Sequence, residues 1–327
     1  MGRKVITVLA AISLLCLIGF GGSPGSAAER VFLKIGSSSL GGSWFPTMSL
    51  TASVINYKVP GVISTVTTGG AITNIRNVEN AKIDMGFTYT GSVAEAWNTK
   101  DPFKKPHRNI RAIGVYYQSA FSITVQAHSP VRTFYDIKGK RTTAGKKGWG
   151  STLAYARMLE AHGLSFDKIR QAGGKVSHVG WSDAVLLMKD RQVDVIQLAQ
   201  PVPNPLIMQL EASFPVRVLG IEKPILEKIL NTYRGYVAVK IPKGIYKGQE
   251  SDAWTIADND LLIASTRMPD DLAYKITRAI YENPRLFKKL AWLKGMTWKK
   301  AAEGVQIPFH RGAARYFKEK GVSVHSE

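Results

Sequence analysis

From Val31 the chain alternates short apolar, β-branched runs with amphipathic stretches, and a glycine turn stands between run and stretch. Val31 to Ile35 reads as a strand, and Gly41-Gly42-Ser43-Trp44-Phe45-Pro46 turns the chain. Phe45, Met48, Ala52 and Ile55 then share one stripe of a helix whose first turn accommodates Pro46. Val62 to Thr67 is a second predicted strand, and Thr67-Thr68-Gly69-Gly70 opens a helix with Ile72, Ile75 and Val78 inward. Ile83 to Tyr89 is a third strand. Short strands separated by helices predict an α/β architecture with largely parallel sheets. Each glycine turn leaves unpaired backbone N–H groups at a helix start, where an anion is stabilised without a catalytic side chain.

The same logic repeats from Phe121 to Gln126, a strand followed by the polar turn Asp136 to Lys140 and a strand around Arg141 to Ala144. Gly145 to Gly150 is a glycine-rich loop, Ser151 or Thr152 is placed to cap a helix running to His162, and Gly163 is placed to stop it. Ser182-Asp183 opens a further helix, and Val193 to Leu198 is a strand leading into Pro201-Val202-Pro203-Asn204-Pro205. The tail supplies a strand at Leu261 to Ala264, a helix begun by Pro269 and a last helix over Gly312 to Lys320. Two α/β units in one chain imply a cleft between them, and a chain that crosses twice between them implies a hinge.

The N-terminus resembles a secretory signal: Arg3 and Lys4, an apolar run from Val5 to Phe20, and the small residues Ser26-Ala27-Ala28 before an expected cleavage ahead of Glu29. Cys16, the only cysteine, lies inside that segment, so an exported product would have no disulfide and would rely on an ordinary core. The chain holds 44 Lys and Arg against 24 Asp and Glu; without Arg3 and Lys4 the balance is 42 against 24, or +18. That charge attracts anionic partners without choosing among them, and the basic residues are dispersed, so no nucleic-acid partner is expected.

Gly145-Lys146-Lys147-Gly148-Trp149-Gly150-Ser151-Thr152 approaches a phosphate-binding loop, but Ser151 stands where the essential lysine belongs. The six histidines show no metal spacing, and no Ser-His-Asp order or carboxylate pair stands out, so neither a metal, nor a cofactor, nor catalysis is expected.

Several segments together resemble the TAXI family, the extracytoplasmic solute-binding proteins of one class of TRAP transporters. They are Ile35-Gly36 through Pro46, Thr68-Gly69-Gly70 with Asn74, Ile83-Asp84, Asp136 to Lys140, Pro203-Asn204-Pro205, Ile241-Pro242 to Tyr246, and Pro308-Phe309-His310 to Gly312-Ala313. The resemblance implies a two-lobed periplasmic-binding-protein type II fold, each lobe a mostly parallel sheet flanked by helices around a central cleft. It implies a periplasmic receptor that delivers a small organic anion, a carboxylate, to TRAP membrane subunits and touches the membrane only through that permease. The expected division is a signal at 1–28, one lobe from 29–121 with 256–327, and the other from 122–255. The same fold serving an ABC importer or a sensor, or a secreted enzyme, are the alternatives.

Ala71, Tyr89 and Trp149 depart from the family pattern near the cleft and favour a flatter or more apolar carboxylate than glutamate. Expected ligand contacts on the first lobe are Ser39, Gly41, Gly42, Ser43, Trp44, Thr68, Gly69, Gly70, Asn74, Tyr89 and Thr90. Those on the second are Trp149, Gly150, Ser151, Gln200 and Asn204. The glycines offer backbone donors, the aromatic rings offer stacking walls, and Trp149 in its polar loop is expected to face the cleft. His310 is expected to be structural.

Overall fold

The computed structural model describes residues 30–326, so the expected signal at 1–28, Cys16 and the cleavage site lie outside the described residues. In chain order, β1 (Val31–Gly36), α1 (Trp44–Lys58), β2 (Val62–Thr67), α2 (Ala71–Glu79) and β3 (Met85–Tyr89) form two parallel crossovers. Next come α3 (Thr90–Trp97), β4 (Ile110–Gln126), β5 (Arg141–Thr143), α4 (Gly150–Ala161), α5 (Phe166–Gln171), β6 (Lys175–Ser177), α6 (Trp181–Lys189) and β7 (Val195–Gln200). The remainder is α7 (Pro205–Glu211), β8 (Val216–Val218), α8 (Lys223–Thr232), β9 (Val237–Ile241), β10 (Ala253–Ser265), α9 (Asp270–Tyr281), α10 (Pro284–Phe287) and α11 (Arg311–Glu319).

The sheet is ordered β2-β1-β3-β10-β4-β7-β5-β6, with β8 on β4 and β9 on β10. The outer strands are parallel, as crossover helices require, whereas β4 and β10 run antiparallel to each other and to β3, β7, β8 and β9. The ten-stranded sheet is therefore mixed as a whole, with a parallel set at each end and β4 and β10 antiparallel between them. β4 is 17 residues long and absorbs the strand expected at Phe121 to Gln126; β10 is 13 residues long and absorbs Leu261 to Ala264. The expected lobe boundaries, 121/122 and 255/256, fall inside these two strands. Toward one end β10 pairs with β3 through Asp260 to Ala264, and toward the other β4 pairs with β7 through Ala120 to Thr124.

Apolar spacing explains the helices. α1 buries Trp44, Met48, Thr51 and Ile55 on one stripe, and β3, between β1 and β10 in the sheet, is buried on both faces. α4 departs from expectation, because Trp149 is the capping residue and makes no side-chain cap, while Ser151 and Thr152 lie inside the helix. α7 was not expected, although Asn204 caps it with its side chain and Pro205 fills its first position.

Asn74 ties the strand ends beneath the Gly69–Gly70 turn. Fully buried, it donates its amide to the carbonyls of Ser37 (2.7 Å) and Phe87 (2.8 Å), tying the end of β1 to β3. A Cβ on Gly69 would stand 2.1 Å from its Oδ1, which is why a glycine precedes Gly70. Replacing Asn74 by Ala leaves two buried carbonyls without that partner, and the expected cost is roughly 2–5 kcal/mol of unfolding free energy by urea titration. A variant as stable as the parent would show that water takes over both bonds.

Candidate functional site

Three helices start at one place, each with a tryptophan. Trp44 opens α1, Trp181 opens α6, and Trp149 immediately precedes α4. α2 starts beside them behind Gly70, and none of these four starts carries a side-chain cap. α1 and α2 pack on the β1 end of the sheet, α4 and α6 on the β7 end. Their meeting encloses a cavity of about 10 Å³, lined on one side by Ser38, Trp44, Gly70, Ala71 and Tyr89 and on the other by Trp149, Gly150, Ser151 and Trp181. That is room for about one water molecule.

The walls touch because glycines let them. A Cβ on Gly70 would lie 2.3 Å from the Trp149 ring, and one on Gly42 would lie 2.7 Å from the Trp181 ring. Gly41, with φ of +92°, rests against the Ser182 hydroxyl. The Trp149 indole N–H donates to the Gly69 carbonyl (3.2 Å), and its ring lies 4.6 Å from that of Trp181. The Ser43 N–H donates to Gln200 Oε1 (2.8 Å). Ser151 Oγ, Trp181 Nε1 and Gln200 Nε2 are buried and have no hydrogen-bond partner in the protein.

Residues 35–321 carry the sequence pattern of the NMT1-like family. The chain belongs to the NMT1-like family. Its fold is similar to that of a Xanthomonas citri protein solved with ATP bound, at 11% identity over 89% of this chain and 95% of that one, with a TM-score of 0.52. More distant are the alkanesulfonate-binding protein SsuA of Xanthomonas axonopodis pv. citri bound to MOPS (16%; 90% and 92%; TM-score 0.47) and the substrate-binding protein of an amino acid ABC transporter (15%; 80% and 99%; TM-score 0.46).

In this NMT1-like chain, Gly41, Gly42, Ser43, Trp44, Gly69, Gly70, Tyr89, Trp149, Gly150, Ser151 and Gln200 gather at the junction. Ser39 is half-buried beside Gly180, and Thr68 stands exposed at the rim. Asn74, Thr90 and Asn204 do not line the cavity: Asn74 braces the turns, Thr90 donates to Asp258, and Asn204 Oδ1 caps α7. Trp149 faces the junction but is only 5% exposed, since the opposite wall covers it. His310 caps α11 and bonds the Met268 carbonyl, a structural role.

Sequence reasoning missed Trp181, although its place at a helix start after Gly180 matches Trp44 and Trp149 and was open to reading. It also missed the acids behind the site. Asp260 accepts from Trp44 Nε1 (2.5 Å) and Ser119 Oγ (2.7 Å), and Asp258 accepts from Thr90 Oγ1 (2.8 Å) and the Gly91 N–H (3.2 Å). A further link joins α3 to α4: Arg157 pairs with Glu95 (2.6 Å), bonds the Tyr236 hydroxyl (3.0 Å) and lies over the Tyr233 ring (4.2 Å).

Burial pushes the Asp258 carboxyl up to about 7 despite its donors, and drives Asp260 upward as well. Burial, with the two acids adding to it, also keeps the Tyr89 phenol protonated. An acid whose proton affinity the fold raises binds its proton more tightly folded than unfolded, so the Asp258 contribution to stability is fully present at acid pH and is lost as pH rises from about 4 through about 7. Asp258→Asn, which keeps an acceptor, is expected to flatten that fall between about pH 5 and pH 8 in denaturation series. Asp260 leaves a residual slope in the same direction. Coincident profiles for parent and variant would mean that Asp258 is not the titrating group.

Proposed function

We propose that the chain is an extracytoplasmic solute-binding protein that captures a small organic anion, a carboxylate, and passes it to the membrane subunits of a TRAP-type, ion-gradient-driven permease. The observation that carries this reading is the convergence of uncapped helix starts from the two ends of one sheet around buried, unpartnered donors. Helix N-termini hold an anion by oriented N–H groups and need no basic side chain. Residues 29–121 with 256–327 would be one lobe and 122–255 the other, with β4 and β10 as the hinge. Solute binding between the lobes would bias an open-to-closed equilibrium, and the closed form would be what the permease recognises.

Membership of the NMT1-like family supports a binding role over catalysis, and the TAXI resemblance across the chain supports the TRAP partner and a periplasmic location after signal removal. The amino acid neighbour is named as the receptor of an ABC transporter, which makes an ABC importer the second reading. Proteoliposomes bearing candidate TRAP or ABC membrane subunits separate the two: uptake driven by an ion gradient without ATP is expected, and strict ATP dependence selects the importer.

Binding itself is checked by thermal shift across a carboxylate panel, where at least one member is expected to raise the melting temperature. Ser151→Ala removes a donor to the bound anion and is expected to weaken that member by roughly 10-fold with the apparent melting temperature of the free protein unchanged. A flat response across the panel would end the carboxylate reading.

A further inference from the structure

The site already contains a flat ring, and that ring belongs to the protein. Trp149 lies against Gly70 so closely that no side chain fits beneath it, and its one polar edge atom donates to the Gly69 carbonyl. The floor of this slot is bare backbone from the β1 end of the sheet, while Trp149 and Trp181 both come from the β7 end. If the ends part by about 3.5 Å, the contact distance of stacked carbon atoms, the slot between floor and indole admits one planar ring and excludes a puckered one.

The charges available to a ligand are as restricted as the shape. Among the described residues, no Lys, Arg or His lines the cavity, and no Asp or Glu does either. What the lining offers is the start of α4 at Gly150 and Ser151 with two unpartnered donors, Ser151 Oγ and Trp181 Nε1. That set suits one carboxylate. A second carboxylate would find no cation, and an ammonium would find no acid, because both Asp260 oxygens are taken by Trp44 and Ser119.

Resting on the receptor reading above, we infer that the ligand is a planar aromatic monocarboxylate, its ring stacked between Trp149 and the Gly69–Gly70 backbone and its carboxylate at the start of α4. This selects against amino acids and dicarboxylates by what the lining lacks, and against saturated rings by the slot.

Calorimetric titration of the purified chain with benzoate, cyclohexanecarboxylate, succinate and glutamate tests this. Benzoate is expected to bind about 10-fold tighter than cyclohexanecarboxylate, which carries the same charge on a puckered ring. Succinate and glutamate are expected to bind at least about 100-fold more weakly than benzoate. Trp149→Ala should erase the preference for the planar ring, and Trp149→Phe should keep it. The Phe variant also guards against loss through misfolding. Equal affinity for the two ring acids, or tighter binding of succinate or glutamate, overturns the inference and leaves the receptor reading intact. Silence with all four acids, and with a wider carboxylate panel, overturns both.

Discussion

Everything else in the molecule hangs on the antiparallel pairing of β4 with β10. These two strands are long enough to carry partners at both ends, so β1, β2 and β3 with their helices attach at one end and β5, β6 and β7 with theirs at the other. Parallel strands joined by crossover helices put the helix starts at one edge of the sheet. Two such sets, held by one pair of shared strands, bring four helix starts face to face. That pairing brings the helix starts together, and the glycines at the turns let them touch.

The junction is tightly closed and its support is costly. Two carboxyl groups sit fully buried behind it, one bracing the Trp44 indole and the other holding the start of α3. Burying ionised carboxylates without cations is unfavourable, so the fold raises their affinity for protons. The Glu95–Arg157 pair is a different kind of bond, a nearly buried ion pair joining helices from the two ends. Such a pair resists separation strongly once formed, because either partner alone would be a buried charge.

Legibility in the sequence followed the range of the interaction. The first two crossovers could be read because their strands are apolar, their helices have clean stripes, and glycine marks the turns between them. β4 could be read only from Phe121, since Gly114, Gln118 and Ser119 break the apolar pattern of its first part. Ser119 is polar because it faces Asp260 from a strand far away in sequence, and that reason is invisible in a local window. The roles of Asp258 and Asp260 are hidden for the same cause. Asn74, Thr90 and Asn204 were picked out as ligand contacts because their residue types suit one, yet each is committed to a backbone or a buried acid near its own turn.

The sequence by itself determined the α/β class, the glycine turns at the helix starts and membership of the NMT1-like family, though not the TAXI assignment within it, because these depend on periodicity and on residues close together along the chain. Tertiary structure alone decided that the sheet is mixed, that Trp181 joins Trp44 and Trp149, and that the cavity lacks any charged side chain. Those facts depend on strands and helices separated by a hundred residues or more meeting across β4 and β10, and no short-range pattern encodes which residues will face each other there.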